Sequence, residues 1–225
     1  MGHIGYGAMS YDVAHLLGGT MLLLSFALLS QRRITSTIDT YAIQAVTLAI
    51  AACWQGWVQN EPSLYLTGAI AFGAKAVVIP LMLKRSVRRL KLHDAREEAL
   101  SIFTAMALGV ALVALSIMVV LPTTMQAGAL TREDLALALS VVLLGLLMMI
   151  TRRTAFTQVI GFMSLENGLI LAAVGVAGMP LVVELSVAVL VLVGFVVFGV
   201  FLRRMRVHFH SLDTAHLDRV GSAQR

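Results

Sequence analysis

Apolar residues run along this chain in long blocks separated by short polar breaks. The blocks fall roughly at residues 12–31, 39–58, 64–84, 98–121, 133–151, 155–177 and 181–202. A bilayer's hydrocarbon core is about 30 Å thick and is crossed by roughly 20 apolar residues in a helix. The pattern therefore predicts an all-α, multi-pass integral membrane bundle of seven transmembrane helices, followed by a polar tail. Composition strengthens this, with 59% hydrophobic residues, 13% charged residues and a mean hydropathy of +0.88. A soluble domain of this length has too little interior to hide so much apolar side chain, so the expected cover is lipid.

The polar breaks alternate in charge. One set holds Arg32 and Arg33; Lys84, Arg85, Arg88, Arg89, Lys91 and Arg96; Arg152 and Arg153; then Arg203, Arg204 and Arg206 with Arg219 and Arg225 in the tail. The other holds Glu61, then Arg132, Glu133 and Asp134, then a bare turn at Gly178-Met179-Pro180. Of the 17 Lys and Arg, all but Arg132 and Lys75 belong to the first set. The positive-inside rule places that set in the cytoplasm, with the N-terminus outside and the C-terminus cytoplasmic. The net charge of +5 and a pI near 9.9 then reflect topology, and no nucleic-acid partner is expected.

Smaller features narrow the chemistry. Cys53 is the single cysteine, which excludes an intramolecular disulfide and a cysteine metal site. Residues 1–12 lack Lys and Arg, which argues against a cleaved signal peptide. The basic segment at about 84–97 reads as a topology anchor, or as an amphipathic helix on anionic headgroups or a partner. His208 and His210 in the tail lack further ligands, so no metal site is expected.

Two ionisable residues fall near the middle of apolar blocks: Lys75 in the third and Glu166 in the sixth. Glu184 lies near the outer end of the seventh, and Asp12 and His15 read as interfacial. A charge at the bilayer centre costs about 2.5–3.5 kcal/mol on insertion scales, so such groups face a partner or a wet cavity. At 100° per residue, Thr154, Thr157, Gln158, Gly161, Ser164 and Gly168 share one face of the sixth helix. Glu166 lies nearly opposite, among Val159, Phe162, Met163, Leu169 and Ile170. Both faces need protein neighbours: either this helix is central, or Glu166 looks into another subunit. Burial disfavours a charged carboxyl while a nearby ammonium favours it, and a group pulled both ways is suited to proton exchange or to a fixed ion pair. Pro80, five residues after Lys75, cannot donate to the Ala76 carbonyl and predicts a kink.

The segment TRRTAFTQVIGFMSLENGLILAA at residues 151–173 resembles the three-helix K subunit of bacterial complex I. Over roughly residues 12–206 the chain resembles the hydrogenase-4 component E family. The matching features are Lys75 with Val77-Val78-Ile79-Pro80 and its basic loop, Ser164-Leu165-Glu166-Asn167-Gly168, and Val183-Glu184-Leu185. The resemblance implies four helices with their basic loop at 1–132, a complex-I-K-like three-helix unit at 133–206 and a polar cytoplasmic tail at 207–225. It further implies a non-catalytic membrane-arm subunit of a formate-hydrogenlyase-type or complex-I-like redox complex in the bacterial inner membrane. Glu166, Lys75 and Glu184 become candidates for proton transfer, supported by Asn167 and Gln158. Partners would be antiporter-like subunits and those anchoring a quinone or hydrogenase module, with the bilayer around them. Three-helix relatives carry a second buried acid in the last helix, four residues before a glycine; matching Gly194 puts Leu190 there.

Paired cysteines and paired mid-membrane histidines are missing from the spans, so no cofactor is expected and electron transfer falls to partners. The alternatives are a stand-alone seven-helix transporter and a purely structural scaffold. A retinal sensor resembling the opsins would want lysine in the seventh helix, and an intramembrane enzyme would want a histidine or aspartate at depth beside its nucleophile.

Overall fold

The computed structural model describes residues 3–89, 101–123, 129–152 and 154–175, and every regular element among them is helical. The order is α1 (His3–Ser30), α2 (Ile34–Gln59), α3 (Ser63–Ile70), a π-helical stretch (Ala71–Val78), α4 (Ile79–Arg89), α5 (Ile102–Thr123), α6 (Ala129–Thr151) and α7 (Ala155–Val174). The third apolar block is one continuous rod made of α3, the π stretch and α4.

Among the described residues, six helical segments are long and apolar enough to cross a membrane. They are Asp12–Ser30, Ile34–Gln59, Ser63–Arg88, Ile102–Val120, Glu133–Thr151 and Ala155–Val174. The expected seventh span at 181–202, with Glu184, Leu190 and Gly194, lies outside the described residues, as do His208 and His210.

Two boundaries move. The second helix starts at Ile34 because Ile34 and Ile38 are fully buried and extend its packed face. The basic segment expected from about residue 84 begins as helix: Leu83 and Val87 dock one turn apart while Arg85 and Arg88 stay exposed. Lys84 pairs there with Asp39 of α2. The segment is thus helical as far as Arg89, and residues 90–97 lie outside the described residues.

Burial is inverted relative to a water-soluble protein. Leu23, Phe72, Leu81, Phe103, Met118 and Ile150 face outward, while Gln44, Lys75, Glu166 and Asn167 are buried. This is the distribution that a lipid solvent selects.

Cross-helix contacts fix the two ends of the bundle. At the basic end, Arg152 Nη2 donates to the carbonyls of Leu28 (3.1 Å) and Leu29 (2.8 Å). These lie in the last turn of α1, where unpaired carbonyls and the helix dipole favour a cation. At the opposite end, His15 Nδ1 lies 3.4 Å from Asp134 and 3.9 Å from Glu133. Gln59 Nε2 also donates to the Val174 carbonyl at 2.9 Å. Trp54 and Trp57 pack together at this end, with ring centroids 5.3 Å apart. Trp57 and nearby Tyr65 are exposed, as interfacial aromatics are.

α6 and α7 meet backbone to backbone through glycine. A Cβ on Gly145 would stand 2.5 Å from the Leu165 nitrogen, and one on Gly168 would stand 2.8 Å from the Val142 nitrogen. The small residues predicted to line the sixth helix include Gly161 and Gly168 at this contact. α2 packs against α1, α7 and the whole third rod, so the cleft between α2 and α7 is central.

Candidate functional site

Lys75 sits inside the π stretch, where the ladder is repaired by longer bonds; the Ile79 N–H, for example, reaches the Ala74 carbonyl five residues back. Pro80 explains the location. It offers no N–H, and its ring crowds the carbonyl four residues earlier. Just before the proline the helix widens into the π stretch. Each extra residue in a turn rotates the following side chains by about 100° relative to an α-helix. The segment thereby presents Lys75 inward, with only 3% of the residue exposed.

Across the cleft, Glu166 of α7 is 2% exposed, and its Oε1 lies 3.0 Å from Lys75 Nζ. Whether this carboxyl faces its own bundle or another subunit is thus answered: it faces Lys75 of the same chain. Phe162 and Leu169, expected beside it, point outward, while Met163 is fully buried.

The pair is the terminus of a longer network. Lys75 Nζ donates to Asn167 Oδ1 at 3.2 Å, and Asn167 Nδ2 donates to Gln44 Oε1 at 3.4 Å. Gln44 Nε2 then reaches Ser25 Oγ (2.8 Å) and Ser164 Oγ (3.0 Å). Ser25 passes its proton-donating bond to the Met21 carbonyl at 2.9 Å. Four helical segments are laced together by side chains that lipid could not satisfy. The fully buried Tyr41 hydroxyl lies beside Glu166 and Asn167, yet meets no described residue with hydrogen-bond geometry.

Electrostatics makes this a coupled site. Lys75 and Glu166 together are neutral, which is tolerable in a medium of low dielectric constant. Adding a proton to Glu166 would leave the ammonium unbalanced, so the charge state of one residue controls the energy of the other. Asn167 gives Lys75 a second, neutral acceptor that remains when Glu166 is protonated. Groups of three or more His, Cys, Asp or Glu able to hold a metal are not found among the described residues.

Of the candidates named from the sequence, Lys75, Glu166 and Asn167 come together. Gln158 does not join them: it is exposed at the start of α7 and donates to the Arg152 carbonyl at 2.9 Å. Glu184 lies outside the described residues. Gln44, Ser25 and Tyr41 were not singled out. Their signal is present in the sequence, since an uncharged amide in the middle of an apolar span also demands a partner.

No family model matches the chain, and no solved structure matches it. Similar proteins cover almost its whole length. It is 30% identical over 200 residues to the uncharacterized protein Rv0085 of Mycobacterium tuberculosis, covering 87% of this chain and 90% of that one. It is 28% identical over 204 residues to hydrogenase-4 component E of Escherichia coli K12, covering 89% and 94% respectively. The same figures hold for hydrogenase-4 component E of Shigella flexneri. Apolar spans, a polar interior and near full-length similarity agree: the chain is a membrane protein and belongs to the family that contains Rv0085 and hydrogenase-4 component E.

Proposed function

We propose that this chain is a membrane-arm subunit of a hydrogenase-type redox complex and that its Lys75–Glu166 pair exchanges protons during turnover. The observation that carries the reading is the ion pair itself, 3.0 Å long and sealed in the centre of apolar spans. Intramembrane charges of this kind mark proton relays and ion paths by default. Membership of a complex is supported by the similarity to hydrogenase-4 component E. The partners would be other membrane subunits, and the location the inner membrane of a bacterium, with the basic end of the bundle in the cytoplasm.

In this reading Glu166 is the group that gains and loses the proton. Lys75 holds the carboxylate when it is charged, and it leans on Asn167 when the carboxyl is neutral. Gln44, Ser25 and Ser164 keep Asn167 oriented. α6, α7 and the segment at 181–202 would form the three-helix unit, with Glu184 as a further proton-transfer candidate.

The test is Glu166→Gln in the assembled complex, which keeps shape and removes titration. Assembly and redox turnover should persist while proton translocation falls. Unchanged translocation would reduce the pair to a structural brace, and a chain purified from mild detergent as a lone monomer would remove the complex.

A further inference from the structure

Beyond the ion pair, the helices repeat one order of layers toward the His15 end. In α1 the order is Ser25, then Met21, then Gly18 and Ala14. In α2 it is Gln44, then Leu48 and Ala49, then Ala51 and Gln55. In α7 it is Asn167, then Ile170 and Leu171, then Val174 and Gly175. The first residue in each case belongs to the polar network. The second belongs to a packed apolar cluster of Met21, Leu48, Ala49, Ala71 and Val141, backed by Leu22, Ile170 and Leu171. The third lines a crevice at the bundle end that also includes the Asp134 side of α6.

The crevice leaves about 20 Å³ accessible to the centres of water molecules. One water needs roughly 10–15 Å³ measured this way. Gln55 and Asp134 give it polar partners, and Asp134 also meets His15 at 3.4 Å. Leu171 both lines the crevice and packs on the apolar cluster, so the two are contiguous. At 1.5 Å per residue, the apolar layer spans about 6 Å along α7 and about 10 Å along α2. Met21 and Leu48 are fully buried in it. Thr47 is buried at the same level, but its hydroxyl donates to the Ile43 carbonyl of its own helix. Ser140, beside Val141, likewise donates to the Ala136 carbonyl of its own helix, so among the described residues no side-chain hydrogen bond crosses the layer.

We infer that the crevice at Asp134 and Gln55 is a water-filled port to the Glu166–Lys75 site, and that the Met21–Leu48–Val141 layer is its gate. The inference rests on the proton-site reading above. With the layer parted, water from the crevice reaches the carboxyl group of protonated Glu166. The O–H bond breaks, the electron pair stays on the carboxylate, and the proton leaves as hydronium to be taken by the Asp134 carboxylate. With the layer closed, as in this structure, Glu166 is isolated from that end.

The test uses the full-length chain in its complex, in membrane vesicles of both orientations and a Cys53→Ala background. Single cysteines are placed in the crevice (Ala14→Cys, Ala51→Cys) and in the layer (Met21→Cys, Leu48→Cys), then exposed to a membrane-impermeant thiol reagent. From the His15 face, the crevice thiols should react about ten-fold faster or more, because layer thiols wait for an opening. Equal rates overturn the gate. Separately, Leu48→Asn should raise passive proton leak several-fold, and adding Glu166→Gln should return the leak to baseline. A leak that ignores Glu166→Gln also overturns the gate, since water is then bypassing the site. Normal pumping by Glu166→Gln alone, with the labelling boundary intact, instead removes the proton-site reading and the gating role with it, leaving an inert apolar seal.

Discussion

Replacing Lys75 with methionine keeps the length of the side chain and deletes its charge. In this structure that strips the Glu166 carboxylate of the ammonium 3.0 Å away and removes the donor 3.2 Å from Asn167. The carboxyl is 2% exposed and so out of reach of bulk water. Breaking a buried pair from one side costs about 3–5 kcal/mol, because the surviving charge is left uncompensated. The double variant Lys75→Met/Glu166→Leu removes both charges and fills the cleft with apolar volume. Such replacements range from neutral to about 1–4 kcal/mol stabilising, and here they are offset by roughly 1 kcal/mol for the bond lost at Asn167. With either single variant costing about 3–5 kcal/mol and the double near neutral, the two losses should fall short of additive by about 5 kcal/mol or more. Unfolding of the full-length chain in mixed detergent micelles, read by circular dichroism, gives the four corners of the cycle. Additive losses in the double variant would refute the pairing argument. The same variants also separate structure from function: the double variant should regain stability and assembly without regaining proton translocation. Restored translocation would show that the pair serves only as a brace.

Two other predictions concern the scaffold that positions the pair. Gly145→Ala should destabilise the chain by about 1–3 kcal/mol, since overpacking forces α6 from α7 at the Leu165 backbone. Gly19→Ala meets nothing within 4 Å and should be neutral or stabilising by roughly 0.5–1 kcal/mol; thermal melts in micelles compare the two, and equal effects would contradict the close contact. Arg152→Ala should lose about 1.5–3 kcal/mol through its bonds to the Leu28 and Leu29 carbonyls. Hydrogen exchange at the end of α1 and the start of α2 reads this, and unaltered protection there would mean the arginine serves topology alone.

Much of the fold was legible because lipid imposes strict arithmetic. A span of about 20 apolar residues has few alternatives, and the basic breaks between spans stand out against it. Lys75 and Glu166 were legible for the same reason, as charges where charge is costly. Their contact was not, because depth along two helices says nothing of rotation about them. That rotation depends on the π stretch before Pro80 and on the close approach of α6 to α7 at Gly145, Gly161 and Gly168. Arg152 shows a related limit. Counted only as a positive-inside marker, it is 9% exposed and clasps the end of α1, since a guanidinium near a helix C-terminus has carbonyls to bind. Gln44 was hidden by its neutrality: hydropathy averages dilute one amide in a long span, whereas hydrogen-bond accounting makes it the hub between Asn167, Ser25 and Ser164.

A change in the protonation of Glu166 during turnover is the event on which this account depends. Infrared difference spectroscopy of the assembled complex, recorded between resting and turning-over states, detects it through the C=O stretch of a protonated carboxylic acid. The account predicts a carboxylic-acid band that appears or disappears on turnover, is lost in Glu166→Gln, and shifts in Lys75→Met. A difference spectrum with no such band, or one in which the band survives Glu166→Gln unchanged, would contradict it.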